Sequence, residues 1–138
     1  MPVEVKIERD GRAILSTFLE PLDMQEIVEA NDKSTREHLQ FATKPVHSII
    51  DTTQIHKLPS NMLSNSMHLS RKLHPMVGTM VVVTNNAFIN AMSAILSKAP
   101  MGKKIVICQT VEEAWAIIDR LLAEVKSDKS DISVDLSA

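Results

Sequence analysis

The run TMVVVT at 79–84 limits the fold more than any other stretch of the chain. A strand that is apolar on nearly every residue has no side to give to water. It belongs inside a sheet covered by helices on both faces. The flanking pattern agrees. Val46 opens a second apolar strand over 46–51, and Lys104 to Cys108 reads as a third. Each is followed by apolar residues at three- and four-residue spacing, the period of an amphipathic helix.

The N-terminus has the other period. Val3, Val5 and Ile7 alternate with Glu4, Lys6 and Glu8, as in a half-solvated strand. Asp10-Gly11 is a hairpin turn signal, and Ala13 to Phe18 reads as the returning strand. Asp23 and Glu26 have capping-box spacing for a helix that Pro45 must end. Thr110-Val-Glu-Glu113 is a second capping box, and Ala114, Ile117, Ile118, Leu121 and Val125 form the stripe behind it. Helices are thus expected near 23–43, 60–73, 86–98 and 110–125. The pattern predicts an α/β protein: a mixed, mainly parallel sheet opened by an N-terminal β-hairpin, with helices on both faces. One domain over 1–125 and a polar tail over 126–138 are expected.

Composition narrows the function. The chain has 138 residues, a net charge of −2, 23% charged and 3% aromatic residues. That balance offers no general pull toward nucleic acid and no platform for base stacking. No apolar run is long enough to span a bilayer, and no secretory leader is visible at the start. The single cysteine, Cys108, allows no internal disulfide, so a cytoplasmic location is expected.

Catalytic and cofactor motifs fail in turn. Gly102-Lys103 lacks the upstream glycine of a phosphate loop, where Ser97 stands, and Lys104 replaces its hydroxyl residue. The three glycines, Gly11, Gly78 and Gly102, do not form GxGxxG. His38, His47, His56, His68 and His74 form neither HxxxH nor HExxH, so neither a metal nor another cofactor is expected. Cys108, in an apolar strand, reads as a buried inert thiol, and Trp115 as an anchor of the last helix.

The segment IIDTTQIHKLPSNML at 49–63 joins a strand end to a serine-capped helix. It resembles, without a gap, the corresponding segment of the STAS family, the anti-sigma-factor-antagonist domains. The order of elements is similar over roughly residues 1–125, most of all to bacterial STAS-like proteins that end in a capped helix like Thr110-Val-Glu-Glu-Ala-Trp. The resemblance implies a non-enzymatic interaction or regulatory module whose partner surface includes Asp51, Thr53, Ser60 and Asn61. Ser60 matches the first serine of the family motif. Asn61 stands at the usual phosphoacceptor and Pro59 at the preceding aspartate, which points to constitutive contact with a protein partner. Read from the residues alone, Ser60 can be a plain helix cap.

A second reading comes from the helix at 86–99, which is more apolar than one buried face requires. Met80, Phe88, Ile89, Met92 and Leu96 could line a cavity for a small apolar ligand or lipid, or a homodimer interface.

Overall fold

The computed structural model describes residues 3–21, 23–55, 76–85 and 105–123. Five strands form one sheet in the order β1-β2-β3-β4-β5: Val3–Glu8, Ala13–Phe18, Val46–Asp51, Val77–Val83 and Ile105–Cys108. β1 and β2 are antiparallel, and every later pairing is parallel. Helix α1 spans Met24–Glu37, a 3-10 turn follows at Leu39–Phe41, and helix α2 covers residues 111–123. The mixed sheet opened by a hairpin is therefore present. The helices expected at 60–73 and 86–98 and the tail at 126–138 lie outside the described residues. No helix among the described residues is long and apolar enough to cross a membrane.

The hairpin turn is built on left-handed backbone: φ is 55° at Arg9, 56° at Asp10 and 83° at Gly11. Successive positive φ values give the twist that joins antiparallel strands tightly, and the Arg12 N–H closes the turn on the Arg9 carbonyl at 3.1 Å. Arg9 then reaches α2. Its Nε donates to Asp119 Oδ1 at 2.8 Å, and its guanidinium lies 4.2 Å from the centre of the Trp115 ring. Trp115 and Asp119 are four residues apart, one helical turn, so one cation engages both. The hydrogen bond from Arg9 holds the Asp119 carboxyl below its ordinary range.

Asp23 caps α1 by accepting the Glu26 N–H at 2.9 Å, and Thr110 Oγ1 accepts the Glu113 N–H at 3.1 Å at the start of α2. The polar run Asn31–Ser34 stays helical, but α1 ends at Glu37, short of the limit that Pro45 sets. His38 explains the stop. It leaves helical geometry (φ −138°, ψ −57°) and its Nε2 donates to the Gly11 carbonyl at 2.8 Å, tying the end of α1 to the hairpin turn.

Each of the two described α-helices covers one face. α2 lays Ala114 and Ile118 against Ala13, Ile49, Val81, Val83 and Cys108. α1 and the 3-10 turn lie over the other, where Ile27 packs with Phe18 and Val82, and Leu39 with Ile14, Val46 and Val77. β4 begins at Val77, two residues before the apolar run. Its register with β3 shifts between Val46 and Ser48, a bulge that sets Val77 on the same face as Met80.

Candidate functional site

The parallel strands end along one edge of the sheet, and β3 leaves it through Asp51, which is buried. Asp51 Oδ1 accepts two hydrogen bonds from Thr53, from the backbone N–H at 3.0 Å and from the hydroxyl at 2.7 Å. An aspartate bonded to the residue two positions on fixes a turn of its own, and this one sets the direction in which the chain leaves the strand.

Thr52 fastens the same turn sideways. Its backbone N–H and its hydroxyl both donate to the Val83 carbonyl, at 2.9 and 2.7 Å. Ile55 closes the turn with an N–H bond to the Thr52 carbonyl at 3.2 Å and is buried beside Phe18, Ile27 and Val82. Between these anchored residues Gln54 is exposed. The neighbouring strand ends are joined too, by the Thr84 N–H to the Cys108 carbonyl at 3.0 Å. Cys108 donates its S–H to the Thr110 carbonyl at 3.4 Å, and burial pushes its thiol pKa up, with Glu113 adding to the rise.

Asp51 and Thr53 thus come together as one hydrogen-bonded unit. Ser60 and Asn61 lie outside the described residues, as do Phe88, Ile89, Met92 and Leu96. Met80 is half-buried on the α1 face, where it borders a cavity of about 110 Å³ with Ile14, Phe18, Ile27, Leu39 and Ile50. Small-molecule sites are usually about 300 Å³ or more, so this space is a packing gap on that scale. Among the described residues no group of His, Cys, Asp and Glu is arranged to hold a metal ion.

The strand order also bears on the site. Open α/β sheets place ligand crevices where the order of strands reverses. Here the five described strands run in chain order without a reversal. Among the described strands, then, the edge at Asp51 shows no reversal of the kind that marks a ligand crevice.

Sequence patterns missed a buried pair nearer the other end of the sheet. His47 is buried in β3, and its Nδ1 accepts the Thr79 N–H at 2.9 Å. A Cβ on Gly78 would lie 2.5 Å from that nitrogen, so the imidazole occupies the place of a side chain on the next strand. With Nδ1 accepting, the neutral ring carries its proton on Nε2, which is buried without a partner. Arg12 Nη2 is likewise buried and unpartnered, while Arg12 Nε donates to the Pro45 carbonyl at 3.1 Å. Burial first, and Arg12 second, lower the His47 pKa. A glycine just before an apolar run was the only signal available.

No family model matches the chain, and no curated protein or solved structure matches it either.

Proposed function

We propose that the chain is a non-enzymatic interaction or regulatory module, similar to STAS domains, that binds a protein partner through the 51–63 connection and the helix expected after it. The observation that supports this reading is the use of Asp51. Its carboxylate accepts both donors of Thr53, and Thr52 is latched to β4, so the connection leaves the sheet in a fixed direction with Gln54 outward. A turn tied down over 51–55 gives up little conformational entropy there when a partner seats on it, which suits recognition. The five described strands follow chain order without a reversal, an arrangement that suits surface contact better than enclosure of a substrate. Because Asn61 and Pro59 replace the phosphoacceptor and its neighbouring acid in the resemblance, the contact is proposed to be constitutive.

A photo-crosslinking residue placed at Gln54 tests the reading in the native cell, with the same residue at Glu112, exposed on α2, as the control. A discrete protein adduct is expected from position 54 and not from 112. It should be lost when Asp51→Ala frees the turn. Equal labelling from both positions, or an adduct indifferent to Asp51→Ala, counts against this surface.

A further inference from the structure

β1 has its apolar residues on the side expected of a half-solvated strand, yet they are not covered. Val5 pairs with Ser16 and Ile7 with Ile14, which places both on the face that α1 overlies. Even so, Val5 is 40% and Ile7 53% exposed. Between them and α1 runs an open groove of about 620 Å³. The reason lies in α1. Among the helix residues that border the groove, Glu26, Glu29, Lys33 and Glu37 form a charged stripe at helical spacing, beside the small Ala30 and Ser34. Long charged side chains cannot be laid on Val5 and Ile7 without desolvating their charges, so the helix stands off the strand.

We propose that this groove is a second recognition surface, and that its occupant is a basic amphipathic peptide segment of a partner protein. Apolar side chains of the segment would cover Val5 and Ile7, and its Lys or Arg residues would face the α1 wall.

Charge selects among occupants. Glu26, Glu29 and Glu37 stand against Lys33 alone among the cations of the described lining. Glu26 Oε2 is buried with no hydrogen-bond partner, so an incoming donor would satisfy an oxygen that the fold leaves unpaired. The same wall repels phosphate, which disfavours a lipid headgroup or nucleic acid. It also disfavours a second copy seated groove to groove, since each would bring the same acidic stripe. From Glu26 to Glu37 the stripe is about 16 Å long at helical rise, room for a segment of about five extended residues. None of the residues of the Asp51 turn lines the groove, so this surface is independent of the proposed contact at 51–63.

The probe is a seven-residue peptide of alternating leucine and lysine, blocked at both ends, compared with a leucine–glutamate peptide and a serine–lysine peptide. Amide shifts of the labelled protein are followed on titration. The leucine–lysine peptide is expected to move Val5, Ile7, Ala30 and Lys33 together, and the other two to bind at least tenfold more weakly. Charge reversal by Glu29→Lys with Glu37→Lys is expected to weaken binding tenfold or more, as is Ile7→Ser, with unchanged denaturant midpoints showing that the fold is intact. Shifts centred outside the groove, or equal binding of the leucine–lysine and serine–lysine peptides, would overturn the proposal. So would a concentration-dependent dimer that Ile7→Ser dissolves, because the occupant would then be a second copy.

Discussion

Over one face of the sheet, α2 sets Ala114 and Ile118 onto Ala13, Ile49, Val81 and Val83, and all six are fully buried. Over the other, α1 sets down Ile27 and keeps Glu26, Glu29 and Lys33 along the β1 margin, leaving a groove and a small gap beneath it. The two faces belong to the same strands and offer similar apolar residues. What differs is the helix stripe turned toward them. An apolar stripe closes on the sheet, because contact removes surface from water and requires no charge to be desolvated. A charged stripe holds its helix away from β1, so Val5 and Ile7 stay exposed, while Ile14, Phe18, Val46 and Val77 farther in are buried. Both faces carry buried core, and the α1 face leaves surface for recognition along its β1 margin.

The largest expected effect is on the closed face. Ile118→Ala removes a fully buried side chain and is expected to cost about 2–5 kcal/mol. Ile27→Ala, beside the gap on the open face, is expected to cost less. Denaturant midpoints of the two variants decide it, and a larger loss at Ile27 would break the comparison.

Gly78→Ala comes next. Its Cβ would meet the His47 ring at 2.5 Å, and overpacking of this kind costs roughly 1–3 kcal/mol. Combined with His47→Ala, which empties the space, the loss should fall short of the sum of the two single losses, as contacting residues usually do. Additive losses would show that the ring and Gly78 do not compete for one volume.

Adding the same bulk to each helix should give opposite signs. Ala114 is fully buried, so Ala114→Leu is expected to destabilise by about 1–3 kcal/mol. Ala30 borders both the groove and the small gap, so Ala30→Leu is expected to stabilise by about 0.5–1 kcal/mol. It should also weaken the leucine–lysine peptide by filling part of its seat. If both substitutions destabilise equally, the open face is packed as tightly as the closed one.

The contrast between faces explains what could be read from the sequence. Local period was enough for the hairpin, for β3 and for the α2 stripe, because strand alternation and helix spacing are written in neighbouring residues. The caps at Asp23 and Thr110 are local too. The start of β4 at Val77 was not legible: glycine is a poor strand residue, and its presence there depends on His47 of another strand. The end of α1 depends on His38 reaching the hairpin turn, while Pro45 sets only an outer limit. At the candidate site, Asp51 stood out by its place after an apolar strand. That its carboxylate is held by Thr53 follows from turn geometry, which residue types alone do not fix.

The smallest expected effect is a pH dependence from His47, on the closed side of the comparison. Its neutral ring accepts the Thr79 N–H, and burial, with Arg12 adding to it, keeps its pKa below the ordinary value of 6.5. The unfolded chain takes up a proton near 6.5 that the folded chain refuses. Stability from this residue is therefore complete above that pH and declines as the pH falls toward the lowered value. Below the lowered value both states are protonated and the dependence levels off. Protonating Nδ1 would also turn the acceptor of the Thr79 N–H into a donor, so the bond to β4 would be lost with it. Denaturant midpoints measured between about pH 7.5 and pH 5.5 should fall for the native sequence and fall less for His47→Gln. His38→Gln serves as the control, since that ring donates to a carbonyl at the hairpin turn and lies elsewhere. A slope that survives unchanged in His47→Gln would show that His47 does not carry it.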